Sequence, residues 1–239
     1  MNVLINRSLL KDNKTVNMDA IVYDKLSECD FNCDDFIFGT IQECSKLKDM
    51  PNCSFMDIKV SDWLAFLKEE YINYDGYFKQ AWQLNETDIG KFCRCNSGNK
   101  SWAGQLISTK IDIDTISQLV MEDEILYIAP SQNIINEKRF WVIDGKIIGS
   151  SHYYNPFNSN IDCEYNNDEA LDYAKKIIDI YYEPATQYTL DIGWDVNKGK
   201  FQVIEYNCFN TSGFYKSDVN QIIKKVKEKF DAASDKVVG

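Results

Sequence analysis

The chain has 239 residues, enough for one large domain or two small ones packed together. It is 44% hydrophobic and 26% charged, which supports a buried core and excludes wholesale disorder. With 26 Lys and Arg against 37 Asp and Glu, the net charge of −11 makes it a poor holder of a nucleic-acid backbone, so no nucleic-acid partner is expected.

One histidine, His152, rules out multi-histidine metal sites and leaves any Ser-His or Cys-His mechanism resting on a single residue. The first residues lack the apolar run of a signal peptide, and no stretch approaches the roughly 20 apolar residues of a membrane span. The expectation is a cytoplasmic protein with no membrane partner. The eight cysteines are then expected to be reduced thiols. Cys29, Cys33, Cys44 and Cys53 crowd the first quarter, but their spacing matches no usual zinc pattern.

In chain order, residues 1–88 are Asn-, Asp- and Cys-rich, with short apolar runs such as Phe36-Ile37-Phe38, and read as a small α/β N-terminal domain. A helix is expected from an N-cap at Ser61, with Trp63, Leu64, Leu67 and Tyr71 on one face. From Lys91 the character changes. Phe92 to Cys95 reads as a strand, residues 96–104 as a polar loop with two glycines and Lys100, Ile113 to Met121 as a short helix, and Glu124 to Ala129 as a strand ending at Pro130.

Two hairpins separated by a helix follow. The first joins 137–143 to 146–152 through Asp144-Gly145, a strong two-residue turn signal. That turn sets Glu137 opposite His152, Arg139 opposite Ser150 and Trp141 opposite Ile148. The helix begins at Asn167 or Asp168, carries Leu171, Ala174, Ile177, Ile178 and Tyr181 along one stripe, and ends before Pro184. The second hairpin joins 188–196 to 200–207 through a three-residue loop, Asn197-Lys198-Gly199. Its register puts Asp191 directly opposite Glu205, with Asn207 on the same face two residues on. Like charges opposed across a sheet are destabilising unless a cation lies between them, and oxygen-only ligands suit Mg2+. A solvated edge where both acids face water is the alternative reading.

The segments Phe92-Cys93-Arg94-Cys95-Asn96-Ser97-Gly98-Asn99-Lys100, Glu137-Lys138-Arg139-Phe140-Trp141-Val142, Leu190-Asp191-Ile192-Gly193 and Val203-Ile204-Glu205-Tyr206-Asn207, with Ser212-Gly213-Phe214-Tyr215, resemble in this order the ATP-grasp superfamily. The resemblance is to a divergent clade named for two arginines and a lysine, which includes eukaryotic initiation-factor-assembly relatives. It spans roughly residues 89 to 218.

The resemblance implies an α+β fold: two α/β lobes with antiparallel sheets gripping ATP, one over 89–130 with the phosphate loop and one over 131–239 with the metal site. It implies ATP and Mg2+ as cofactors. It implies that Arg94 contacts the α- or β-phosphate, that Lys100 is the clade's lysine, and that the backbone around Ser97 and Gly98 cradles phosphate. Tyr127, Ile128 and Ala129 match the adenine hinge, Arg139 the arginine of the γ-phosphate region, and Asp191, Glu205 and Asn207 the magnesium ligands. Glu137 would touch ribose or substrate, or pair with Arg139's neighbours. Cys95 stands where relatives commonly carry proline.

The function implied is a ligase that joins a carboxylate to an amine or thiol through an acyl phosphate, on a small molecule, peptide or protein. Ser150, His152, Tyr153 and the stretch Asn210 to Tyr215 are candidates for steering the acceptor, with His152 as a general base or as a structural hydrogen-bonding residue. Two other readings stand beside it: an ATP-binding assembly factor for a protein partner, and an ATP-grasp fold without nucleotide binding. The joint presence of Arg94, Lys100, Arg139, Asp191, Glu205 and Asn207 argues against the last.

Overall fold

The computed structural model describes residues 1–11, 15–16, 20–50, 52–99, 102–152, 167–180 and 187–234. The chain opens with β1 (Val3–Asn6), α1 (Arg7–Leu10), β2 (Ala20–Tyr23), β3 (Phe36–Phe38) and α2 (Ile41–Cys44). β1 pairs in parallel with β2 on one side and β3 on the other. The apolar runs Val3-Leu4-Ile5 and Phe36-Ile37-Phe38 are wholly buried, as strands covered on both faces should be.

Next come α3 (Val60–Leu67) and β4 (Tyr77–Gln80). α3 begins one residue before the expected cap: Ser61 lies inside it, and the Asp62 carboxylate accepts from the Lys59 N–H. Trp63 and Leu67 are buried as expected, whereas Tyr71 lies past the helix end and bridges to Val203.

β5 (Lys91–Cys95), β6 (Gln105–Leu106), α4 (Lys110–Leu119) and β7 (Ile125–Pro130) complete a four-stranded antiparallel sheet in the order β4-β7-β5-β6. α4 starts three residues earlier than its apolar pattern suggested, because Asp112 accepts from the N–H groups of Ser108 and Thr109 and anchors its first turn. β4 lies ahead of residue 89, so this sheet straddles the expected boundary at 88. Cys93, Cys95, Leu126 and Ile128 pack against Ile113 and Ile116 of α4 on one face. Tyr127 and Ala129 point the other way and join the neighbouring core.

The larger sheet, ordered β11-β10-β8-β9, is built from β8 (Ile134–Ile143), β9 (Lys146–His152), β10 (Gln187–Asp195) and β11 (Lys200–Cys208), with α5 (Asn167–Ile180) and α6 (Val219–Ser234). On one face Phe140, Val142, Leu190 and Ile192 pack against Ala170, Ala174, Ile177 and Ile178 of α5 and against Trp63. Tyr181 and Pro184, expected at the end of α5, lie outside the described residues. On the other face Trp141, Ile143 and Ile148 share one core with α6 and the N-terminal sheet. Trp141 stacks on Phe214 there, their ring centres 4.8 Å apart. The N-terminal sheet and the larger lobe therefore have no separate cores. Among the described residues no helix is long and apolar enough to cross a membrane.

Both hairpins depart from simple register. Asp144 and Gly145 have φ of 49° and 71°, as their two-residue turn requires. A bulge between Trp141 and Val142 then shifts the pairing by one, so Lys138 faces His152 and Arg139 faces Ser151. The expected pairs Glu137–His152, Arg139–Ser150 and Trp141–Ile148 are corrected accordingly. In the second hairpin Asp195 pairs with Lys200, which makes the loop four residues long, and Gly199 takes the left-handed position at φ 62°. A bulge at Ile204 restores the expected register beyond it, and Asp191 stands opposite Glu205.

Candidate active site at the lobe junction

Arg139 on β8 faces Asp191 on β10 across the sheet. Its Nε and Nη2 donate to the two oxygens of Asp191 at 2.8 and 2.6 Å, a bidentate pair only 4% and 3% exposed. Arg139 Nη1 also donates to the Gly213 carbonyl at 3.3 Å, and its guanidinium carbon lies 5.4 Å from the centre of the Tyr215 ring. Part of the expected stretch Asn210 to Tyr215 thus meets the site through Arg139.

Arg94 reaches the same cluster from the smaller sheet. It shares a face with Tyr127, opposite it on β7, and its Nη2 donates to Glu205 Oε2 at 2.9 Å. This ion pair spans the two lobes and is 12–13% exposed. Burial would lower the Arg94 pKa, but Glu205 and the neighbouring Tyr71 hydroxyl hold it above the usual arginine value. The Asn207 side-chain amide donates to Asp191 Oδ2 and to Glu205 Oε1, each at 3.0 Å. Five side chains from both lobes thus form one hydrogen-bonded row: Arg94, Glu205, Asn207, Asp191, Arg139.

Glu137 lies beside this row. Burial, then Asp191 and Glu205, push its carboxyl up to about 7 against the opposing pull of Arg139. An α-carbon substituent at Gly193, on the facing strand, would approach its Cγ to 3.5 Å. Glu137 is thus close to the carboxylates rather than paired across from His152.

The phosphate-loop residues sit at the mouth of the junction. Phe92, Arg94, Ser97, Trp102, Ile204 and Glu205 contribute to a cavity of about 230 Å3. The loop is pinned from below: Val60 N–H donates to the Asn96 carbonyl and Ser61 N–H to the Asn96 side chain. The Gly98 N–H and the Ser97 hydroxyl both donate to Asp57 Oδ1, at 2.7 and 2.9 Å. Lys100 lies outside the described residues, as does Tyr153.

Two sets of expected site residues lie apart from the row. Tyr127 and Ile128 belong to a strand paired on both edges, with Phe78 and Tyr77 of β4 and with Arg94 and Cys93 of β5. All three hinge candidates are fully buried, and the backbone groups of Tyr127 and Ile128 are committed to the sheet. The Asn96 N–H bond to the Ile125 carbonyl fixes the alternation on the β5 edge, so the Ala129 backbone groups face Phe92 and are committed as well. His152 shares a face with Lys138, so alternation puts it on the side of β8 opposite Arg139. It lines a separate cavity of about 350 Å3 with Lys138, Ser150, Ser151, Asp168 and Lys216. Burial lowers the Lys138 pKa there, against the opposing charge of Asp168.

Asp57 and Tyr71 were missed by sequence reasoning. Asp57 belongs to no motif. Tyr71 was assigned to a helix face, and only its pairing with Val203 brings it to Arg94.

The donor set fits a hard divalent cation. Asp191 and Glu205 offer carboxylate oxygens and Asn207 an invertible amide, and Glu137 beside them is raised first by burial and then by these two carboxylates.

Two antiparallel α/β lobes with cationic and acidic side chains meeting at their junction define an ATP-grasp fold. The chain belongs to an ATP-grasp domain family, the third of the clade named for two arginines and a lysine, which it matches over residues 47–226. No curated protein matches it. Among solved structures it is similar to the ATP-grasp ligase PsnB in complex with a minimal precursor, at 16% identity and a TM-score of 0.46. That match covers 70% of this chain and 58% of PsnB, so the chain spans little more than half of PsnB's length. It is also similar to D-alanine–D-alanine ligase from Bacillus anthracis, at 14% identity, 95% and 92% coverage and a TM-score of 0.48. C-terminally truncated Cdc123 from Schizosaccharomyces pombe matches at 12% identity, 62% and 82% coverage and a TM-score of 0.39.

Proposed function

We propose that the protein is an ATP- and magnesium-dependent ligase that activates a carboxylate as an acyl phosphate and passes the acyl group to an amine or thiol. The observation that carries this reading is the row from Arg94 to Arg139, which joins both lobes and sets the three oxygen-bearing side chains between two arginines. Family membership supports the nucleotide part of the reading. A substrate that is a peptide or protein is in keeping with PsnB, whose structure is known in complex with a precursor peptide, and stays a proposal for this chain.

Asp191, Glu205 and Asn207 would hold the metal, which when bound neutralises phosphate charge. Arg94 would hold the phosphate chain from the small lobe and Arg139 the transferring phosphoryl group, both preorganised by the sheets that carry them. Gly98 N–H would face the same chain, and Lys100 is assigned there on the resemblance alone. The substrate carboxylate oxygen bonds to the γ-phosphorus as the bond to ADP breaks. The amine or thiol then attacks the acyl carbon and inorganic phosphate leaves, taking up the nucleophile's proton directly or through water. No side chain need act as a covalent nucleophile, and His152 is given no part.

The test is a thermal-shift titration with Mg2+ alone, ATP alone and both, repeated on Glu205→Gln. A ligand at 100 times its dissociation constant stabilises the native state by about 2.7 kcal/mol, a readable shift. The expected result is a shift that needs both components and shrinks in Glu205→Gln. No shift at millimolar nucleotide overturns the reading.

A further inference from the structure

Arg94, Arg139 and the Gly98 N–H, all assigned to phosphate, each hold a carboxylate of the chain itself. Arg94 holds Glu205, Arg139 holds Asp191 through both oxygens, and the Gly98 N–H holds Asp57 Oδ1 at 2.7 Å. A carboxylate and a phosphate oxygen offer the same acceptor chemistry to a guanidinium or a backbone N–H. Two of these carboxylates are also the proposed metal ligands. The third, Asp57, is exposed and arrives from the segment before α3, outside the nucleotide motifs.

We propose that Glu205, Asp191 and Asp57 stand in for phosphate on Arg94, Arg139 and the Gly98 N–H, and that Mg2+ and nucleotide bind by exchanging partners with these pairs. Metal entering alone must take Asp191 and Glu205 from two buried arginines and leave those cations uncompensated. Nucleotide entering alone must take the arginines and leave two facing carboxylates and Glu137 uncompensated. Each is opposed by the cost of an unpaired buried charge. Entering together they satisfy both halves, so each strengthens the other through the protein, over and above their complexation in solution. The Arg94–Glu205 pair also ties the lobes together, so exchange there is coupled to opening of the cleft. This inference rests on the reading of the site as one for Mg2+ and ATP.

The proposal predicts inverted signs. Losing a phosphate-binding arginine should tighten metal binding, and losing a metal ligand should tighten metal-free nucleotide binding. Calorimetry would measure Mg2+ alone, the non-hydrolysable analogue AMP-PNP in EDTA, and both together. For Arg94→Gln the expected result is about tenfold tighter Mg2+ in the absence of nucleotide, within the usual range of coupling between sites. For Glu205→Gln it is metal-free AMP-PNP bound about tenfold more tightly. For Asp57→Ser, an exposed position outside the buried row, it is a several-fold gain in metal-free AMP-PNP.

Unchanged or weakened affinity in these arms overturns the exchange. If the buried variants fail to fold by circular dichroism, Asp57→Ser decides by the same criterion. Wild-type protein that binds no AMP-PNP even with Mg2+ overturns the ligase reading itself. Wild type that binds the pair while the variants shift the wrong way overturns only the exchange.

Discussion

Asp191 and Glu205 stand directly opposite each other although Ile192 and Val203, their neighbours towards the turn, face the opposite core. In a regular strand Val203 and Glu205 would share a face. Ile204 is the extra residue that breaks this parity, so β11 gives an apolar side chain to the α5 core and, two residues later, an acid to the arginine side. Bulges commonly re-aim a side chain in this way at functional sites.

The space around that bulge is fixed by Gly193. A Cβ there would collide with the Ile134 methyl, come within 2.8 Å of Ile204 Cδ1 and touch Glu137. Gly193→Ala is therefore expected to cost about 1–3 kcal/mol by overpacking, read as a lower urea midpoint. It should also weaken Mg-nucleotide binding, because Ile204, next to Glu205, must move.

Removing one side of the Arg139–Asp191 pair should be far more harmful than removing both. Arg139→Met leaves Asp191 buried, with the Asn207 amide still donating to it, and is expected to cost about 3–5 kcal/mol. The double variant Arg139→Met with Asp191→Leu should recover part of that loss, so a double-mutant cycle by urea unfolding should show strong coupling. Additive losses would contradict the pairing.

Glu137 predicts a pH dependence of stability. Its folded pKa is raised from the ordinary 4.5 to about 7 by burial, Asp191 and Glu205, with Arg139 opposing. Between those values the folded protein keeps a proton that the unfolded chain has lost. Stability therefore falls as pH rises from about 4.5 to 7, then levels off. Glu137→Gln should remove this slope and be more stable than the wild type at pH 8 by about 2–3 kcal/mol, measured by denaturant unfolding across pH.

Asp88 predicts the opposite slope in the small lobe. It is fully buried, which opposes ionisation, but Lys79 Nζ and the Tyr77 hydroxyl each donate to it at 2.6 Å. These bonds and the Asn85 N–H hold its carboxyl below the ordinary 3.8. Its contribution is present at neutral pH and is lost as pH falls through that lowered value. Asp88→Asn should cost about 3 kcal/mol at pH 7 and progressively less in strong acid.

What could be read from the chain follows from which signals are local. Asp144-Gly145 announced its hairpin because both residues must take positive φ, and Gly199 announced the other. The opposition of Asp191 and Glu205 was reached by counting from a three-residue loop. The real loop has four residues, and the bulge at Ile204 offsets the difference, so the site register came out right while the pairing near the turn did not. No composition rule marks a bulge, which is why the expected partners of Arg139 and of His152 are each one residue off. Tyr77-Phe78-Lys79-Gln80 was not recognised as a strand because only its pairing with β7 defines it. Asp57 left no trace at all, since its role depends on a contact with a loop some 40 residues away.

The way the chain enters and leaves the small lobe has a mechanical consequence. It enters at Tyr71 and Ile72, where Ile72 N–H donates to the Val203 carbonyl, and leaves at Asn133, whose carbonyl accepts from Val196 N–H. Both tethers are moored to the single hairpin of β10 and β11, one on each side of its turn. Any swing of the small lobe therefore pulls on that hairpin first, like a jaw hung from the same bar that carries its teeth. The bar bears Asp191 and Glu205, so a force that opens the cleft is delivered, without any relay, to the carboxylates whose spacing decides what the cleft can hold.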